Sequence, residues 1–239
     1  LLERWIPEWE VINLSNLLPI PYEVRPVRAK DWIDFRCQWC GQCCRNIEDA
    51  VMVESLDAYR IAKHLRNNGH PEMNTGAFYL EYTHAVMLTA GFPVMMLNTA
   101  GSEQACVFLK DNRCAIYPVR PRICRHYPFS VEPGGRGRDF IWVLCKDKPF
   151  HLTGGRVLVK DWINQNFPRE EREFLKREYG FYTRLGKILR GMDEETREHC
   201  LRQIVFFWYI NYELDEPFQP QHERNIDALL ERLAQMARE

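Results

Sequence analysis

Four cysteines stand close together at Cys37, Cys40, Cys43 and Cys44, and four more follow at Cys106, Cys114, Cys124 and Cys145. A thiolate is the soft donor that zinc and iron–sulfur clusters select, and both centres commonly take four. The spacing Cys37-x2-Cys40-x2-Cys43 puts three sulfurs in one short loop, where backbone amides can point at them and Gly41 permits a tight path. Eight sulfurs divide into two four-sulfur sites, or into one site with spare thiols. If the stretch is helical, each residue advances about 100°, so Cys40 and Cys44 share a face while Cys43 points away. Adjacent cysteines rarely serve one ion together. The Cys43–Cys44 pair therefore feeds two neighbouring centres, or one of the two ligates while the other packs.

The ninth cysteine, Cys200, has no cysteine neighbour and sits in a helical stretch, where a thiol is an inert small hydrophobe. An odd total fits a disulfide framework poorly, and CxxC spacing favours metal or redox chemistry in an intracellular protein. A chain of 239 residues also needs no staples for want of a core. Around Cys124 lie Arg120, Arg122, Arg125 and His126. These cations either lower thiolate pKa, offset a cluster's charge or receive an anion, or else they pair with carboxylates and brace an irregular loop. His126 is a weaker ligand candidate, because most histidines bind no metal. Tyr117, Tyr127 and Phe129 read as packing that also keeps water from the metal.

The elements that must position these groups can be read from pattern. Residues 1–36 form an extended arm, since Pro7, Pro19, Pro21 and Pro26 fix φ and remove donors, while Trp5, Trp9 and Trp32 lay it against the body. Val51–Val53 is a short strand, and Ser55 caps a helix that ends at Asn67-Asn68-Gly69. A second helix covers Ala77 to His84. Val94 to Leu97 is a strand, CVFLKDNRCAIY (106–117) a hairpin turning at Asp111-Asn112-Arg113, and Phe140 to Cys145 a further strand preceded by Gly134, Gly135 and Gly137. Three amphipathic helices follow, at about Arg169–Arg190, Glu194–Leu214 and Gln221–Arg238, with breaks at Gly191 and at Pro217 with Pro220. The stripe Phe206–Tyr209 is core or interface. The expected architecture is α+β: an arm (1–36), an irregular cysteine-rich metal domain with short antiparallel strands (37–150), and a C-terminal helical layer (151–239).

Composition excludes several classes. Lys and Arg number 32 against 33 Asp and Glu, so the net charge of -1 gives no pull toward nucleic acid or anionic membrane. No stretch reaches the roughly 20 apolar residues that span a bilayer. Glu3, Arg4 and Glu8 break up any secretory leader, although the chain opens on Leu1 rather than Met and the sequence leaves open what precedes it. There is no HExxH pair, and Gly134-Gly135-Arg136-Gly137 does not follow an evident strand as a nucleotide loop would.

The segments CQWCGQCC (37–44) and VFLKDNRCAIYPVRPRICRHYPF (107–129), with VMVESLDAYRIAKHL between them, resemble the YkgJ-type cysteine-cluster family and its CxxCxxCC domain. The resemblance spans Cys37 to Cys145 and implies zinc or iron chelation through Cys37, Cys40, Cys43, Cys44, Cys106, Cys114, Cys124 and Cys145. A domain of this type also occurs in flagellin lysine N-methylases, which implies a protein-modifying enzyme as one alternative. Sulfur-only ligation favours a closed structural or electron-transfer site, and the possible eight-sulfur count leans toward iron–sulfur (4Fe-4S) over zinc. The expected partners are a protein substrate or a redox partner, and the expected location is the cytoplasm.

Overall fold

Antiparallel pairing draws strands from distant parts of the chain around the cysteine segments. In this computed structural model the residues described are 24–88, 91–133, 139–146 and 148–237. Residues 1–23 of the expected arm and the Gly134–Gly137 segment lie outside them.

The described chain begins with two short strands, β1 (Val24–Pro26) and β2 (Trp32–Asp34). The Cys37–Cys44 loop follows, with a single 3-10 turn at Gln42–Cys44. Helix α1 (Ser55–Asn67) buries Leu56, Ala58, Tyr59, Ile61, Ala62 and Leu65, an apolar face at helical spacing. Val51–Val53 contributes only an isolated bridge, Met52 to Met96. Helix α2 (Thr75–Tyr82) is capped by Asn74, whose side chain accepts from the Ala77 amide at 2.9 Å. It starts and stops two residues earlier than the pattern suggests. Thr83 and His84 instead open β3 (Thr83–Met87), which pairs with β4 (Pro93–Leu97) and places Thr83 opposite Leu97.

Two minimal hairpins carry the next cysteines. β5 (Thr99–Ala100) pairs with β6 (Ala105–Cys106), and β7 (Leu109–Lys110) with β8 (Arg113–Cys114). The expected single hairpin over 106–117 is thus divided, because Cys106 finds its partner upstream at Thr99. The second hairpin turns at Asp111 and Asn112, with φ of 48° and 61°, a left-handed pair that Asp and Asn tolerate. After the short helix α3 (Arg122–His126), β9 (Phe129–Pro133) pairs with β10 (Phe140–Cys145), and β10 also takes β1 in the order β1-β10-β9. β11 (Arg156–Leu158) pairs with β2.

The remainder is helical: α4 (Val159–Asn166), α5 (Arg169–Leu189), α6 (Glu194–Ile204) and α7 (Phe218–Met236). The expected helix over 194–214 leaves α-helical geometry at Val205 and ends in a π-helical turn, Val205–Ile210. That turn buries Val205, Phe207, Trp208 and Tyr209. The fold is α+β, as the sequence indicates. No helix among the described residues is long and apolar enough to cross a membrane.

Two hydrophobic clusters form the interior. The larger joins α1, α2, β3 and β4 to α5, α6 and α7, and it includes Cys106 with Cys44, Cys114 and Cys124 packed on its edge. The smaller gathers Val27, Ile33, Phe35, Phe129, Leu144, Val159, Ile163 and Phe167. The cysteine cleft opens along the seam between them.

Candidate metal centre

The Cys37–Cys44 loop is held by its own backbone and by one arginine. Gly41 takes φ 68°, the left-handed region, and a Cβ there would stand 2.9 Å from Arg45 Nη1 and 3.0 Å from the Asn112 carbonyl oxygen. Glycine is required on both counts. The left-handed residue also separates Cys40 from the turn at Gln42–Cys44, so the helical-face relation between Cys40 and Cys44 does not apply. Arg45 clamps the loop to its surroundings: Nη1 donates to the Gly41 carbonyl (3.1 Å), Nη2 to Asn112 Oδ1 (2.8 Å) and Nε to Glu103 Oε2 (2.9 Å). Nothing local in the sequence marked Arg45 for this role.

The eight cysteines of the two groups converge on two adjoining chambers. The larger, about 190 Å³, is lined by Cys37, Cys43, Cys44, Cys106, Cys114, Cys124 and Cys145. The smaller, about 60 Å³, is lined by Cys37, Cys40, Cys43, Cys44, Cys114 and His151. Phe35, Tyr117 and Tyr127 border both. Phe129 lies instead in the smaller core. Cys200 is remote and fully buried, its Sγ 3.4 Å from Met192 Sδ. All nine cysteines are free thiols.

Burial and mutual proximity set the thiol electrostatics. Cys43 and Cys44 Sγ stand 3.9 Å apart. Their shared hydrogen bond draws Cys43 down to about 7, helped by Arg120 and Lys148, and pushes Cys44 up. Burial raises Cys106 to about 11 and holds Cys114 and Cys124 above the ordinary thiol range. The Phe108 amide donates to Cys106 Sγ at 3.4 Å, as expected of a loop that offers N–H groups to sulfur. Thiols this dry stay protonated until a cation displaces the proton.

The arginines around Cys124 divide between the two roles open to them. Arg122 forks onto Glu54 (Nε 2.8 Å, Nη2 2.7 Å), and its amide donates to both Asp57 carboxylate oxygens at 3.0 Å. Arg125 forks onto Glu171 of α5 (2.7 and 3.0 Å) and lies 3.6 Å from Asp57. Both brace α3, and with it Cys124, against α1 and α5. Burial and the adjacent Glu54 push Asp57 up to about 7, against the pull of Arg125 and Arg122. Arg120 instead lines the cleft, stacked 3.9 Å above the Tyr117 ring. His126 sits among Trp142 and Phe167 rather than on the cleft wall, and burial lowers its pKa to about 2.

His151 is the residue that sequence reasoning missed. Its Nε2 stands 3.1 Å from Cys40 Sγ, and its Nδ1 stands 2.7 Å from the Tyr127 hydroxyl. The ring is 4% exposed, and burial followed by Lys148 lowers its pKa, which keeps it neutral and able to donate a lone pair. The one available signal was its place shortly after Cys145.

Soft thiols, several of them held protonated by burial, and an imidazole beside them suit zinc or iron. Among the described residues no three His, Cys, Asp or Glu side chains already converge at ligand distance on one point. The sulfurs line the walls of the two chambers.

Fold and cleft together define a cysteine-rich α+β protein built to bind metal. Residues 36–151 match the family described as "CxxCxxCC: Putative zinc- or iron-chelating domain". An uncharacterized protein of Methanocaldococcus jannaschii is 30% identical over 130 residues, which cover 52% of this chain and 63% of that relative. The match thus spans under two thirds of the relative's length. No solved structure matches.

Proposed function

We propose that the cleft holds iron–sulfur, with a structural or electron-carrying role. The observation that carries this reading is the larger chamber, where seven cysteines surround about 190 Å³. A single ion needs no more room than one water, for which about 15 Å³ suffices. A polynuclear cluster needs the space, and seven sulfurs exceed the four it commonly takes. In this reading the chain supplies thiolates from the 37–44 loop, the two hairpins, α3 and β10, amide donors such as Phe108 N–H toward sulfur, and aromatic walls from Phe35, Tyr117, Tyr127 and Trp162 that limit water. Such surroundings tune a cluster's potential, and the cluster itself would supply one-electron chemistry. The exposure of Cys37 and Cys43 supports a site that a redox partner reaches from the surface.

One distance favours zinc instead. Two sulfurs bound to one tetrahedral ion at about 2.3 Å each stand roughly 3.8 Å apart, and Cys43 and Cys44 Sγ are 3.9 Å apart. Anaerobic purification with elemental analysis separates the two. The iron reading expects a brown protein with broad absorbance near about 400 nm from thiolate–iron ligation, and several irons per chain. A colourless protein carrying stoichiometric zinc overturns it.

A further inference from the structure

We propose that His151 is itself a metal ligand, paired with Cys40 in an outer nitrogen–sulfur centre distinct from the sulfur-only chamber beside it. The proposal rests on the metal-binding reading above and adds to it a ninth donor and a division of the cleft.

Three observations carry it. The first is where the donors lie. Cys40 and His151 line only the smaller chamber, whereas Cys106, Cys124 and Cys145 line only the larger. Cys37 and Cys43 border the smaller chamber too and can complete its donor set. The adjacent pair Cys43–Cys44 then stands at the boundary, each thiol free to turn to a different centre.

The second is distance. A sulfur at about 2.3 Å and a nitrogen at about 2.0–2.1 Å from one tetrahedral ion stand roughly 3.5 Å apart. Cys40 Sγ and His151 Nε2 are already 3.1 Å apart, although 111 residues separate them in sequence. A small outward movement admits an ion between them.

The third is the support behind the ring. A ligating histidine characteristically engages its second nitrogen in a hydrogen bond, which fixes the tautomer and the ring plane. Here Tyr127 OH meets Nδ1 at 2.7 Å, and the Tyr127 and Phe150 rings lie edge-on against the imidazole, with centroids 5.6 and 4.5 Å away. Nε2 is left facing Cys40.

X-ray absorption at the edge of whichever metal the purified full chain carries reads the ligand shell directly. The expected wild-type shell mixes sulfur with a nitrogen component at about 2.0–2.1 Å. His151→Ala should remove the nitrogen component and lower the metal content per chain. His151→Cys should restore the content with a sulfur-only shell, and Cys106→Ala should leave the nitrogen component in place. A wild-type shell of sulfur alone overturns the proposal and leaves Cys40 and His151 as a hydrogen-bonded thiol–imidazole pair. An unchanged shell in His151→Ala overturns it as well. A wild-type chain purified anaerobically that binds neither iron nor zinc defeats the metal-binding reading itself, and that result is distinct from the other two. Because the wild-type spectrum is decisive alone, a variant that fails to fold does not block the test.

Discussion

Cys106 and Cys200 are both buried thiols, yet they belong to two regions organised on different terms. Cys200 packs in the helical layer beside Met192 and Met236, with no cysteine near it. Elsewhere in that layer Trp208 Nε1 donates to Glu178 (3.0 Å), His222 Nε2 lies 3.1 Å from the same carboxylate, and Tyr212 OH meets His222 Nδ1 at 2.8 Å. Cys106 faces a cleft of sulfurs whose protons a cation can replace. The backbones differ in the same sense. Every non-glycine residue with positive φ among the described residues, namely Trp39, Asn46, Asp49, Gln104, Asp111 and Asn112, lies in the loops and turns between residues 39 and 112, and none in the C-terminal helices. Left-handed backbone costs a non-glycine residue of order 1–3 kcal/mol, less for Asn and Asp, and persists where the surroundings hold it. The helical layer keeps regular backbone around its buried side chains, while the cysteine-bearing segments take left-handed turns.

Glu171 joins the two regions, and removing it tests how far they depend on each other. It sits on α5, 1% exposed, and holds Arg125 of the cysteine-bearing helix together with Arg60 of α1. Glu171→Ala leaves the half-buried guanidinium groups of Arg60 and Arg125 without this carboxylate. The expected loss is about 3 kcal/mol, the low end for breaking a buried pair, because Arg125 keeps Asp57 at 3.6 Å. Chemical denaturation of the metal-loaded chain measures it, and metal content per chain should fall alongside as Cys124 loses its brace. Unchanged stability and unchanged metal content together would show that the cleft does not lean on the helical layer.

A pH-dependent effect comes from Asp57, at the centre of the same ionic network. Its folded pKa of about 7 lies above the ordinary value of 3.8. As pH rises from about 4 to 7 the unfolded chain releases this proton while the folded chain keeps it, so the contribution to stability present below that window is lost across it. Asp57→Asn cannot titrate. The stability of wild type relative to Asp57→Asn should therefore decline between pH 5 and pH 7, on the order of the shift's span, and level off above it. Denaturant midpoints across that range check the slope, and a flat difference would place the carboxylate in its charged form throughout.

What the sequence revealed follows the same division. The 37–44 loop, the C-terminal end of α1, the turn at Asp111-Asn112, β10 and the starts of α5 and α6 were legible because each depends on neighbours a few residues away, whereas Ser55, expected as the cap of α1, lies inside the helix behind Glu54 and makes no capping bond. The π-turn at Val205–Ile210 was not, since its Phe207, Trp208 and Tyr209 follow packing demands rather than local propensity. The sheet partners were equally hidden. Val24 lies opposite Cys145, and Ile33 opposite Val157. The same holds for the site: the cysteines announced themselves by density, whereas His151 meets Cys40 only through that long-range folding.

The smallest expected effect sharpens the comparison most. Cys200→Ala removes a buried sulfur from a well-packed helical environment and should cost about 1 kcal/mol, the ordinary size of a point substitution, with metal content per chain unchanged. Cys106→Ala removes a sulfur of similar burial from the cleft wall and should lower metal content, together with the folding free energy linked to metal binding. Elemental analysis and denaturation of the two variants side by side separate a thiol that packs from one that ligates. If Cys200→Ala reduced metal content as Cys106→Ala is expected to, burial beside Met192 would no longer explain the ninth cysteine. The helical layer would then have to be counted as part of the site.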